Sequence, residues 1–136
     1  MKAFTFNLEK VLDLRKFHEE EAKIELGRAV GALAELEGKI MSLAEERTKA
    51  AASQFNPENS PATIQQYMYY IMRLDQFKEY LLNEAAMAEV KVEKAREAYL
   101  EASRERKVLD KLKEKRQAES RKRWKSSSLC RSRFPA

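Results

Sequence analysis

Ser53-Gln54-Phe55-Asn56-Pro57-Glu58-Asn59-Ser60-Pro61 is the segment on which the architecture turns. It holds two of the three prolines in the chain, and the third, Pro135, is next to the C-terminus. Proline removes a backbone donor and clashes with the preceding helical turn, so helix interiors reject it. On either side, residues 8–52 and 62–120 contain none. Two unbroken helices are therefore expected, at 8–52 and 62–120, joined by a turn at 53–61. At about 1.5 Å of rise per residue they would extend roughly 68 and 88 Å. Ser60-Pro61 suits a helix start, with Ser as N-cap and Pro at the first helical position. A turn this short makes the two helices antiparallel neighbours.

The flanking sequence carries the matching periodicity. In the first helix Leu8, Leu12, Arg15, Glu19, Ala22, Leu26, Ala29, Leu33, Leu36, Ile40, Leu43, Arg47 and Ala50 alternate at spacings of four and three. In the second, Ile64, Tyr67, Ile71, Leu74, Lys78, Leu81, Ala85, Ala88, Val92, Ala95, Tyr99, Ala102, Arg106 and Leu109 do the same. This is the 3.5-residue repeat of a coiled coil, and it implies a left-handed supercoil. The expected class is all-α: a long antiparallel two-helix coiled-coil hairpin whose second helix is longer and basic. Folding the chain at residue 57 sets Leu26 against Ala88, Ala22 against Val92 and Leu43 against Ile71. Large residues then face small ones, as interdigitation requires. Arg15, Glu19 and Lys78 interrupt and weaken the seam but could set its register, which could slip by one turn without contradicting the sequence.

Composition agrees. The 136 residues are 36% charged and 43% hydrophobic, with only three glycines. Sheet folds need many more turn residues, and a disordered chain would be poorer in apolar ones. The single cysteine, Cys130, cannot form an internal disulfide. The opening residues have no apolar core of a signal peptide. Uncharged apolar runs reach six residues, at 29–34 and 67–72, against roughly 20 for a membrane span. A cytoplasmic, soluble protein is expected.

Charge is segregated along the chain. Residues 104–136 hold 13 Lys/Arg and 4 Asp/Glu, whereas residues 1–103 hold 14 and 18. The fold at residue 57 places 113 opposite Met1, so the basic end is expected to overhang without an intramolecular partner. Residues 1–125 form the expected hairpin. Residues 126–136, Ser-rich and without the repeat, read as a disordered tail or a cloning or frame artefact.

Catalytic chemistry has little to build on. His18 is the only histidine, no Cys-x-x-Cys occurs, and Gly27, Gly31 and Gly38 fall inside the first helix rather than in a phosphate loop. No enzyme activity, metal, cofactor or small-molecule ligand is expected. The glycines read either as a groove for a partner backbone or as tolerated slack. More informative is an excess of apolar residues around 67–82. Tyr69, Phe77 and Tyr80 lie off the seam, and Tyr70, Leu74, Phe77 and Leu81 run down one flank of it. A contiguous exposed apolar patch marks a protein interface, unless Phe55 and the turn fold back over it or a dimer covers it. A second excess comprises Val11, Leu14, Phe17 and Ile24. It is either another interface or a sign that the repeat drifts, making Val11 and Leu14 the true seam.

These residues resemble a known family. Phe4-x-Phe6-x-Leu8-x-x-Val11-Leu12-x-Leu14-Arg15, followed by a Glu-rich stretch and Ala22-x-x-x-Leu26, is similar to the opening of the flagellar export FliJ family. Tyr67-x-x-Tyr70-Ile71-x-x-Leu74 fits the start of that family's second helix, and Val108-Leu109-Asp110-x-Leu112-Lys113-x-Lys115-Arg116 its C-terminal stretch. The resemblance covers roughly residues 4–123. It implies a coiled-coil hairpin, like the two-helix stalk of rotary ATPases, that associates with the hexameric flagellar export ATPase. It further implies contacts with the cytoplasmic domain of the membrane export gate and escort of export chaperones. By motif, the family's gate contact falls on Tyr70 and Leu74, with Phe77 beside them; Tyr70 stands where a Phe can stand. With the terminal end of the hairpin entering the ring, Phe4, Val11, Leu14, Arg15, Arg116 and the rest of the basic overhang would face the ATPase, and the protein would sit peripherally at the inner membrane.

Two other readings compete. A nucleic-acid-associated coiled coil would act through the basic C-terminal helix, where Arg121-Lys122-Arg123-Trp124-Lys125 combines charge with one stackable ring. No recognition fold accompanies it, so no nucleic-acid partner is expected. A self-associating scaffold would use the Tyr/Phe flank as a dimer surface.

Overall fold

The computed structural model describes residues 4–133, with side chains through Ser127. It contains two helices, α1 at Glu9–Gln54 and α2 at Pro61–Arg133, of 46 and 73 residues, and they pack against each other as an all-α hairpin.

The turn is built by asparagines. Residue 56 precedes Pro57 and is steered away from helical geometry. The Asn59 amide Nδ2 donates to the carbonyls of Ser53 at 2.7 Å and Gln54 at 3.4 Å, so it satisfies two of the carbonyls that α1 leaves open. Asn56 Oδ1 accepts from the Glu58 amide at 3.0 Å, an Asx turn. No described residue has positive φ, so α1 ends without a left-handed cap. At the start of α2, Ser60 Oγ accepts from the Thr63 amide at 3.2 Å, and Pro61 takes the first helical position.

The chain divides into two compact units. In the unit Glu25–Arg96, the buried side chains are Ala50, Leu81, Ala85, Ala88 and Val92. In the unit formed by Met1–Ile24 with Glu97–Ala136, they are Phe6 and Leu12. The partly covered positions follow the heptad repeat: from Leu8 to Ala50 on α1 and from Ile64 to Leu109 on α2, every seam position is shielded except Arg47. Arg47 instead reaches outward to Asp75, Nε donating at 2.6 Å and Nη2 at 3.4 Å. Leu12 is completely buried while Val11 and Leu14 are exposed, so the repeat does not drift near the N-terminus.

Three expectations need correction. First, α2 does not stop at 120 but continues to Arg133, so residues 126–133 are helical rather than a disordered tail; residues 134–136 lie outside the described residues. Ser, Leu, Cys and Arg have no helix-breaking geometry, and with no Pro or Gly before Pro135 an established helix propagates through them. Second, intramolecular cover does not end at 113. Lys113 Nζ reaches Glu9 at 2.9 Å, the Arg116 guanidinium lies over the Phe6 ring at 5.7 Å, and Phe4, Thr5 and Asn7 line one groove with Glu119, Ser120 and Arg123. The non-helical arm before α1 folds along α2 and supplies this cover. Third, the cross-helix ion pairs join residues six to eleven positions beyond the fold arithmetic: Arg15 meets Glu105 where Tyr99 was expected, Arg47 meets Asp75 where Tyr67 was, and Glu19 meets Arg106 where Ala95 was. Helical side chains lean toward their own N-terminus. In an antiparallel pair the two leans add, which carries long side chains in this direction.

Candidate functional site

Within the unit Glu25–Arg96, the apolar flank of α2 has distinct sides. Tyr70 is half-buried, because its Oη donates to Glu46 Oε1 on α1 at 3.0 Å, and the Arg73 guanidinium lies 6.0 Å from its ring centre. The bond to the carboxylate, together with partial burial, raises the Tyr70 pKa, since ionisation would lose the donated proton and set two anions side by side. Leu74 is half-buried in the seam. Phe77 is 50% exposed and stacks on Tyr80 with ring centres 6.2 Å apart. Tyr69 and Tyr80 are more exposed still. The three expected gate residues therefore divide into two that are anchored by α1 and one presented outward.

Phe55 is 82% exposed, so the turn does not fold back over this flank. A feature missed from the sequence lies on the opposite side of the α2 seam. Met72, Asp75, Gln76, Lys78, Glu79 and Leu82 line a shallow groove, with Met72 and Leu82 exposed at its ends. Its signal was present in the exposed methionines, Met68 and Met72, which the narrow repeat had no use for. Asp75 is held below the usual carboxylate range by the Arg47 hydrogen bond, with the charges of Arg47 and Lys78 adding to it.

In the other unit the expected ATPase-facing residues do not converge on one spot. Phe4 is half-buried and lines the groove that also includes Arg116. Arg15 is half-buried, and its Nη1 donates to Glu105 at 2.6 Å. Val11 and Leu14 are exposed, and Leu14 continues with Phe17 and Ile24 along the exposed side of α1. The polar seam residues explain themselves here. Glu19 Oε2 accepts from Arg106 Nε at 2.6 Å, and Arg106 also bonds Asp110. These two carboxylates hold the Arg106 guanidinium more firmly protonated than usual.

Gly27, Gly31 and Gly38 face open space, since a Cβ on any of them would meet nothing within 4 Å. Among the described residues no group of three or more His, Cys, Asp or Glu is placed to hold a metal ion, and no helix is long and apolar enough to cross a membrane.

A family model described as Flagellar FliJ protein matches residues 4–127. No curated protein and no solved structure matches the chain.

Proposed function

Because the chain belongs to the flagellar FliJ family, a helical component of flagellar protein export, we propose that it is a non-catalytic coupling protein between the export ATPase and the export gate. It binds the hexameric ATPase and promotes its activity, contacts the cytoplasmic domain of the gate, and escorts export chaperones. It works in the cytoplasm, peripherally at the inner membrane. The observation that carries this reading is the coincidence of the family match with an aromatic flank that the hairpin leaves uncovered at Tyr69, Phe77 and Tyr80.

Tyr70, Leu74 and Phe77 form the gate contact. Phe77 supplies exposed ring area, while Glu46 and the seam hold Tyr70 and Leu74 in fixed orientation, which lowers the entropy lost on binding. Phe4, Val11, Leu14, Arg15 and Arg116 face the ATPase. An asymmetric helical pair can bias the subunits of a ring only through contacts that differ from one subunit to the next.

The test is binding of the purified gate domain. Tyr70→Ala and Leu74→Ala are expected to weaken it roughly tenfold or more with helicity unchanged, as truncation of a central anchor does. Tyr70→Phe keeps the ring, loses only the Glu46 bond, and is expected to bind. Full binding by both alanine variants overturns the site. A self-associating scaffold is the other reading of the same flank, and sedimentation equilibrium showing a stable dimer that masks Phe77 would favour it.

A further inference from the structure

The unit Glu25–Arg96 has two sides, and the gate flank takes only one of them. Tyr70 reaches Glu46 on the flank side, whereas Arg47 reaches Asp75 on the other. In an antiparallel pair, corresponding edge positions of the repeat on the two helices lie on the same side of the seam. The Asp75 side therefore gathers Val30 and Met41 from α1 with Met68, Met72 and Leu82 from α2. All five are between 46% and 68% exposed. The shallow groove at Met72 and Leu82 belongs to this side, and Ala34, Ala44 and Ala86 keep the surface around it low. Between 27 and 93 the charges at these edge positions are all carboxylates: Glu37, Asp75, Glu79, Glu89 and Glu93. Arg47 and Lys78 offset Asp75, and Arg96 pairs with Glu93. Glu37, Glu79 and Glu89 are exposed, and none has a cation within 4.0 Å among the described residues.

We propose that this methionine-lined side of the unit Glu25–Arg96 receives a basic amphipathic helix of a partner protein, laid lengthwise against α1 and α2. An exposed apolar surface on a two-helix pair is what a third helix can cover, through anchors at spacings of three and four. From Met68 to Leu82 the surface runs roughly 21 Å, or about four turns of such a helix. The three carboxylates without a partner select Lys and Arg beside its apolar anchors. Methionine is unbranched and adaptable, so the same surface can repack around more than one helix sequence. A second copy offering the same side fits badly, because it would set carboxylate against carboxylate. Nucleic acid and anionic lipid are repelled for the same reason. The surface shares no residue with the gate or ATPase contacts proposed above, and it goes beyond both.

The experiment titrates the full chain into a labelled synthetic helix of about 18 residues, with Leu on one side and Lys elsewhere, and reads anisotropy. Binding is expected, and it should weaken between about 0.05 M and 0.5 M salt as the Debye length shrinks. The same helix with Glu in place of Lys is expected not to bind. Met68→Ala with Met72→Ala and Leu82→Ala is expected to weaken binding at least roughly tenfold, with helicity unchanged because all three side chains are exposed. Glu37→Gln with Glu79→Gln and Glu89→Gln is expected to weaken it roughly fivefold at low salt. A control with the same change in net charge, Glu21→Gln with Glu35→Gln and Glu97→Gln, is expected to keep it. Equal loss in the control, full binding by the alanine variant, or equal binding of the Glu helix overturns the proposal. So does a dimer in sedimentation equilibrium that the alanine variant dissociates, since a second copy would then be the occupant. Gate-domain binding is measured on the same proteins, and the alanine variant is expected to retain it. Loss of both together overturns the separate site, and absence of gate binding while the synthetic helix binds removes the gate reading alone.

Discussion

Leu12 and Tyr70 illustrate the two kinds of residue in this molecule. Leu12 has no solvent exposure at all, in a unit whose other buried side chain is Phe6. Leu12→Ala removes its transfer energy and leaves a cavity that two helices can only partly close, so a loss of about 3 kcal/mol is expected. Chemical denaturation followed by circular dichroism measures it. Tyr70 is polar, half-exposed and tethered. Its raised pKa means that the Glu46 bond contributes fully below the ordinary tyrosine value near 10 and is lost as pH rises through the higher folded value. Tyr70 is expected to titrate late in the ultraviolet, and Glu46→Gln should bring its pKa down toward the ordinary tyrosine value. The seam position of Leu12 is legible in the heptad repeat. The Tyr70–Glu46 bond is not, because neither residue belongs to that repeat and their meeting depends on how far each side chain leans.

Each helix carries its own surplus. In α1, glycine occupies 27, 31 and 38 with nothing opposite it. A helix-interior glycine costs about 1 kcal/mol relative to alanine. Gly27→Ala and Gly31→Ala are therefore each expected to raise stability by about 1 kcal/mol in thermal melts, since the new methyl meets open space. Loss of partner binding in these variants would identify the glycines as a close-approach groove, whereas unchanged binding marks them as slack. In α2 the repeat fades beyond Leu109 and polar residues take over, which made residues 126–136 look disordered in sequence. Helix continuation to Arg133 needs only the absence of breakers, a weaker condition than a buried face.

Across the whole molecule the two units are held by different forces. The unit Glu25–Arg96 buries Leu81, Val92 and three alanines. The other buries two side chains and carries three cross-helix pairs, Arg15–Glu105, Glu19–Arg106 and Glu9–Lys113, against the single pair Arg47–Asp75 in the first. Salt screens such pairs and leaves apolar burial untouched. Raising salt from about 0.05 M to 1 M is therefore expected to speed amide hydrogen exchange in 9–24 and 97–115 and to leave 64–92 unchanged or better protected. Equal response in both units would count against this division.

The hairpin, its seam and its uncovered aromatic flank were readable in the linear chain because proline placement and a 3.5-residue period are local properties that survive without knowing any contact. Which cations are engaged and which are free depended on three-dimensional placement. Lys107 and Arg106 are neighbours in sequence, yet one points to solvent and the other between two carboxylates. The same holds for the arm at Phe4 and Phe6, whose docking along α2 has no periodic signature. Long-range charge pairing and the packing of irregular chain depend on side-chain reach and direction in space, and a one-dimensional pattern carries neither.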